Sequence, residues 1–175
     1  MLVIGLNGLK HAGKSTVGDL LVNWYGFVRV KFADPLKDML RSMGLDEDEI
    51  EGPLKDLPCE KLCGKSPRSA MIALGTEFGR NTIHPDFWVR MAARRILEIQ
   101  EWVPNARIVL DDCRMPNEAE MVRTQFGGTI IRIDRGGVAD PHPSESGQAL
   151  VVPDHTIANL GTVLDLHRST REILD

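Results

Sequence analysis

Apolar positions along the chain change period in a regular way. Leu2 to Leu6 is a short apolar run that is partly β-branched and leads into glycines, which predicts a buried strand. From Lys14 the spacing becomes helical: Val17, Leu20, Leu21 and Trp24 fall on one face, and Gly26 ends it. Phe27 to Phe32 predicts a second strand. Asp34-Pro35 then predicts a helix start, with Asp34 as cap and Pro35 in the first turn, running to about Met43. Residues 44–66 are acidic, then rich in Pro, Gly and Lys, and read as an irregular or mobile region. Helices are expected over Pro67–Phe78 and from Pro85, the latter with Trp88, Met91, Ala92, Ile96 and Ile99 on one face. Arg107 to Leu110 predicts a strand, Pro116 to Gln125 a helix, and Gly128 to Ile133 a strand. Residues 136–153 are rich in Gly, Pro, Ser and His and predict a long loop, of the kind that often forms a lid. His155 to Ile157 reads as a short fifth strand and Gly161 to Leu174 as a closing helix.

This alternation implies an α/β fold with a parallel sheet covered on both faces, which binds ligands at the carboxyl ends of its strands. A length of 175 residues fits one domain with a core of its own. The apolar fraction of 42% and the charged fraction of 26% are ordinary for a globular protein. A net charge of −4 argues against a long nucleic acid as partner. No run is apolar enough to span a membrane, and the start lacks the basic and apolar blocks of a signal peptide, so a cytoplasmic setting is expected. Three cysteines do not make a disulfide framework, and Cys59 and Cys63 lack the second ligand pair of a zinc site.

The candidate chemistry sits at the predicted strand ends. Gly8-Leu9-Lys10-His11-Ala12-Gly13-Lys14-Ser15 fits G-x-x-x-x-G-K-[ST] without mismatch, between a strand and a helix. The glycines let several N–H groups face one point, where the helix N-terminus adds positive charge. Lys14 can reach the β- and γ-phosphates of ATP, and the Ser15 hydroxyl can ligate Mg²⁺. Thr16 completes the loop. Lys10 and His11 are either donor contacts or solvated loop residues. The loop alone indicates nucleotide binding rather than a kinase.

Arg107 to Asp112 is an apolar strand ending in two carboxylates. Asp112 is assigned to the metal or to orienting the acceptor, against the alternative of a cap before Pro116; whether Asp111 or Asp112 faces the metal stays open. Arginine suits phosphate because its planar fork grips oxygens in pairs. Of Arg68, Arg80, Arg114, Arg132 and Arg135, those that follow predicted strand ends, Arg114 and Arg135, are the favoured phosphate ligands. Cys113, between Asp112 and Arg114, reads as a small spacer.

Several runs in order resemble the bacteriophage-type deoxynucleoside monophosphate kinases. They are Phe32 to Lys37, Leu74-Gly75-Thr76-Glu77 with Gly79-Arg80, Asp86-Phe87-Trp88, and Asp112 through Ala119. Gly127-Gly128, Arg135, His142-Pro143-Ser144-Glu145 and Asp154 to Gly161 continue the match over nearly the whole chain. The resemblance implies a P-loop kinase with a five-stranded parallel sheet flanked by helices, plus a lid at about 136–150. It implies ATP with Mg²⁺ as donor and a deoxynucleoside monophosphate as acceptor, in the host cytoplasm if the gene is a phage's. By motif position Lys37, Arg68, Gly75, Thr76, Trp88, Arg114 and Glu118 would surround the acceptor. Lys37 and Arg68 would meet its phosphate, Trp88 and the Gly75-Thr76 turn would wall the base or sugar, and Arg135 would begin the lid over ATP. Core packing of Trp88, a solvated Lys37 and a helix-start role for Glu118 are the plainer alternatives.

This chain has Ile72 where the family pattern often carries Gln, so its base preference is altered or relaxed if that Gln reads the base. It has Ser15 where some relatives have Asp. Three further readings stand beside the main one: a dephospho-coenzyme A kinase-like enzyme, suggested by Asp154 to Gly161; a modified-pyrimidine kinase; and a non-catalytic nucleotide-binding module. Related families dimerise, and the sequence leaves monomer and homodimer both open.

Overall fold

The computed structural model describes residues 2–136 and 147–174. Two compact units divide the chain: residues 1–31 with 92–175, and residues 32–91.

The first unit holds the sheet. Its strands are β1 (Val3–Asn7), β2 (Phe27–Val30), β3 (Arg107–Leu110), β4 (Thr129–Asp134) and β5 (His155–Ala158), all parallel, in the order β2-β3-β1-β4-β5. Every residue of β1 is buried, as a central strand covered on both faces requires. The edge strand β5 buries only Ile157. The chain steps to one side of β1 to form β2 and to the other to form β4, so the carboxyl end of β1 is the switch point where such sheets bind ligands.

Helices α1 (Lys14–Tyr25), α6 (Pro116–Phe126) and α7 (Val163–Leu174) belong to this unit. Val17 and Leu21 of α1 and Leu166 of α7 join Ile4, Leu6, Val109, Ile131, Ile133 and Ile157 of the sheet in one core. The predicted stop of α1 is found: Gly26 takes φ 67° and its N–H bonds the Leu21 carbonyl. At α7, Thr162 and Asp165 cap each other reciprocally, the Asp165 N–H reaching Thr162 Oγ1 at 3.2 Å and the Thr162 N–H reaching Asp165 Oδ2 at 2.9 Å.

The second unit holds α2 (Asp34–Ser42), α3 (Glu47–Ile50), 3₁₀ turns at Pro53–Asp56 and Glu60–Leu62, and α4 (Pro67–Ile72). A π-helix follows over Ala73–Ile83. The chain then enters α5 (Phe87–Trp102), which continues into the first unit. Leu40, Leu45 and Ile50 form this unit's own core, against which Leu62, Ala70, Met71 and Leu74 pack.

Three expectations change here. Residues 44–66, read as irregular, contain a short helix with a full capping box, Asp46 Oδ1 to the Glu49 N–H and Glu49 Oε2 to the Asp46 N–H. Asp34 opens α2 as its first residue and Ala33 flanks it, without a side-chain cap. The helix expected over 67–78 widens after Ile72 into the π-helix. The loop expected over 136–153 lies mostly outside the described residues, as does the matched run His142 to Glu145; from Gly147 to Val151 two i→i+3 backbone bonds form a helical turn. Among the described residues no helix is long and apolar enough to cross a membrane.

Candidate active site

The phosphate loop leaves β1 through three residues at positive φ: Gly8 at 140°, His11 at 64° and Gly13 at 108°. Two of these need glycine for a second reason. A Cβ on Gly8 would lie 2.3 Å from the Ile133 carbonyl oxygen, and one on Gly13 would lie 2.6 Å from Asn159 Nδ2. The loop therefore presses against β4 on one side and against the segment after β5 on the other. Asn159 fastens it there: its side chain donates to the Ala12 carbonyl at 2.8 Å and its backbone N–H to the Asp134 carbonyl at 2.6 Å.

Helix α1 begins at Lys14 with no side-chain cap, so its first N–H groups face the loop's concavity with the positive end of the helix. The Lys14 ammonium curls over the loop and donates to the Gly8 and Leu9 carbonyls at 2.5 and 2.8 Å. Ser15 is exposed and Thr16 half-buried. Beside the loop, Leu9, Lys10, His11 and Ala12 face Ile133 to Gly136 across a cavity of about 260 Å³, so exposed Arg135 lines the same space as Lys10 and His11.

The end of β3 separates the two carboxylates. Asp111 is buried at 7% exposure and pairs with Arg29 at 3.2 Å and Lys31 at 3.9 Å, in the same unit. Its charge is balanced by β2 and the residue after it. Asp112 lies two residues beyond the last β1–β3 pair, Gly5 with Leu110, which is the level of Asn7 and the start of the loop. Cys113 is fully buried, and burial pushes its thiol well up, with Glu118 and Asp112 adding to the effect. A neutral thiol suits a spacer and not a nucleophile.

The turn from Asp112 to Arg114 is held from both sides. Asn7, with no exposed surface, donates from Nδ2 to the Cys113 carbonyl at 3.1 Å. Glu118, 2% exposed, accepts from the Arg114 and Met115 backbone N–H groups at 2.7 and 3.0 Å, which starts α6. The other end of the Asn7 amide accepts from Arg132 Nε at 3.0 Å, the residue opposite it in the β1–β4 register. Arg132 in turn bonds the Gln148 carbonyl at 3.2 Å and the Val151 carbonyl. Asn7 is a support residue that sequence reasoning did not select; Arg132 stood among the candidate phosphate arginines and Asn159 in a matched run, neither as a support residue. Only their positions beside strand ends could have marked them as such.

In the second unit Lys37 is buried and bonded to Glu51, and Arg68 grips Asp56 through two nitrogens. Trp88 is 2% exposed and donates its indole N–H to the Gly75 carbonyl at 2.8 Å; Arg80 reaches the same oxygen at 3.2 Å. Thr76 is exposed one residue on, and Ile72 is 40% exposed at the end of α4. The sequence-selected residues thus fall into three local groups. Loop residues 8–16 with Arg135 form the first, Asp112, Arg114 and Glu118 the second, and Lys37, Arg68, Gly75, Thr76 and Trp88 the third, spread over one unit.

Comparison with known proteins bears on what these groups do. The model of the deoxynucleotide monophosphate kinase family matches residues 63–170. The chain is 34% identical over 157 residues to a protein of Acanthamoeba polyphaga mimivirus named for that activity, covering 83% of this chain and 81% of that one. It is 28% identical over 102 residues to the deoxynucleoside-5'-monophosphate kinase of Escherichia phage T5, covering 54% of this chain but 39% of the phage protein. Among solved structures, TT1252 from Thermus thermophilus superposes with a TM-score of 0.52 at 14% identity, over 99% of this chain and 96% of its own. At that identity the likeness speaks to the fold alone.

Proposed function

The chain belongs to the deoxynucleotide monophosphate kinase family, and from that premise we propose that it transfers the γ-phosphoryl group of ATP to a deoxynucleoside monophosphate. The observation that carries the donor half of this reading is the complete phosphate loop at the switch point of the sheet, with Lys14 over the loop and the uncapped start of α1 beside it; the transfer and the acceptor class rest on the family.

In the reaction, an oxygen of the acceptor phosphate forms a bond to the γ-phosphorus while the bond to the β,γ-bridging oxygen breaks, and ADP leaves. Little covalent chemistry is asked of the protein. Its work is to hold both partners in line and to neutralise negative charge. The loop N–H groups and Lys14 cradle the β- and γ-phosphates, which would draw the ammonium from the Gly8 and Leu9 carbonyls toward them. Arg135, across the cavity from Lys10 and His11, suits the donor's outer phosphates or ribose. Arg114 serves the transferring group from a turn that Asn7 and Glu118 keep fixed. Glu118 acts through this turn, and Trp88 supports the Gly75-Thr76 wall through its bond to Gly75. Lys37 and Arg68 hold the acceptor phosphate.

A hydroxyl at Ser15 and a carboxylate at Asp112 are hard oxygen donors that fit Mg²⁺, which takes one or two protein ligands and otherwise phosphates and water. The pairing of Asp111 with Arg29 and Lys31 favours Asp112 for that role. When bound, the ion would supply charge neutralisation between the β- and γ-phosphates. A cytoplasmic setting, the host's if the gene is viral, suits these substrates.

Replacing Lys14 by Ala tests the donor half and Lys37→Gln with Arg68→Gln the acceptor half. The first is expected to lower kcat by about 100-fold or more, on the scale of losing one phosphate-stabilising donor. The second pair is expected to raise the acceptor KM more than the ATP KM. A folded Lys14→Ala protein with full activity contradicts the reading.

A further inference from the structure

One short segment of the second unit links the two cations assigned to the acceptor phosphate. Lys37 bonds one oxygen of Glu51, and the other oxygen of Glu51 faces the Lys55 ammonium at 3.6 Å. Beside Lys55 in the 3₁₀ turn, Asp56 meets Arg68 through Nε and, at 3.0 Å, through Nη2. Three cations therefore meet two carboxylates along this segment, with Glu47 near enough to feel both Lys37 and Glu51. Lys55 senses the other two. Burial lowers the Lys55 pKa, Glu51 opposes that, and Lys37 and Arg68 both add to the lowering.

Exposure is distributed unequally in this chain of pairs. The Lys37 side chain is 9% exposed, so its ammonium needs an anion beside it at all times. The Glu51 and Asp56 side chains are 43% and 63% exposed and can turn into water at little cost. A carboxylate that offers one oxygen to each of two ammonium groups makes the contacts a phosphate monoester would make, with less charge. The arrangement is that of fixed cations with exchangeable acids.

We propose that Glu51 and Asp56 are internal counter-ions which the acceptor phosphate displaces, and that Lys55 is a third cation of that phosphate site beside Lys37 and Arg68. The inference rests on the reading above, in which Lys37 and Arg68 hold the acceptor phosphate. Acceptor binding is then an exchange of anions, and Glu51 weakens it by competing for the same ammonium groups.

The test is equilibrium binding and steady-state kinetics with the four deoxynucleoside monophosphates, on the full chain and on E51Q, D56N and K55Q. E51Q is expected to tighten acceptor binding and lower the acceptor KM about two- to fivefold, the range of one partly exposed ion pair, while the ATP KM stays put. D56N moves the same way, and K55Q raises the acceptor KM. A purely structural acid would give the opposite sign, since its loss leaves Lys37 buried without a partner. Thermal unfolding of each variant checks that the fold survives. Unchanged or weaker acceptor binding in folded E51Q and D56N overturns the inference, even where K37Q and R68Q raise the acceptor KM and so uphold the acceptor site. If K37Q and R68Q leave the acceptor KM unmoved, the acceptor assignment and this inference fall together.

Discussion

Replacing Asn7 by Leu keeps the branched heavy-atom skeleton and removes the amide that joins three segments. Two bonds are lost: Nδ2 to the Cys113 carbonyl at 3.1 Å, and Arg132 Nε to Oδ1 at 3.0 Å. The residue has no exposed surface, so water does not easily replace either partner. A hydrogen bond to a charged group contributes about 1.5–3 kcal/mol and a neutral one about 1 kcal/mol, so the expected loss is about 3 kcal/mol. For a chain of this size that lowers the Tm by about 6–12 °C. The assay is thermal unfolding followed by circular dichroism. The acceptor-dependent kcat of the folded variant is measured alongside, because the freed Cys113 carbonyl loosens the turn that carries Asp112 and Arg114. Asn7→Asp keeps the Arg132 bond but sets a carboxylate oxygen against the Cys113 carbonyl, so it also destabilises. A Tm within about 2 °C of the parent in Asn7→Leu would refute the claim that this amide holds the turn.

Other outcomes follow from single contacts. Gly79→Ala puts a Cβ 2.3 Å from Trp88 Nε1 and 2.5 Å from Cε2, and Trp88 is too buried to move aside; overpacking of about 1–3 kcal/mol is expected, read as a lower Tm. Gly13→Ala meets both φ 108° and the Asn159 amide, and is expected to abolish ATP binding in a titration while the sheet stays folded. Glu49 is held down to about 2, first by the Lys61 ammonium and then by the Asp46 N–H and the Cys59 thiol. A depressed carboxyl gives stability that is full above its unfolded value of about 4.3 and is lost as pH falls toward 2. The parent is therefore expected to lose more Tm than Glu49→Gln between pH 5 and pH 3; equal losses would contradict the pairing.

The loop, its strand and its helix were legible because their signals are local: eight consecutive residues fix the turn, and Gly26 marks the stop. The five strands were legible because each is a short apolar run between glycines or charges, and their parallel direction follows from alternation with helices; the order β2-β3-β1-β4-β5 was not. Residues 44–66 were not, because a helix of four residues is too short to show a period and its capping box was hidden in an acidic run. The π-helix was not legible either: Leu74 and Phe78 keep helical spacing, while the bare surface of Gly79 that receives the Trp88 ring matters only in three dimensions. Trp88 itself fits its helix stripe, and its link to Gly75 spans 13 residues. Asn7 and Arg132 are 125 positions apart, joined by a register that no sequence window contains. Family motifs drew attention to Glu118, whose helix-start role is plain in its bonds to Arg114 and Met115.

The most direct measurement is ADP release from ATP and Mg²⁺ with dAMP, dGMP, dCMP, dTMP and the ribonucleotides offered one at a time, beside an acceptor-free control and the Lys14→Ala protein. The account predicts release with one or more deoxynucleotides, little with ribonucleotides, and none above control with Lys14→Ala. Release that no deoxynucleotide raises above the acceptor-free control would contradict it.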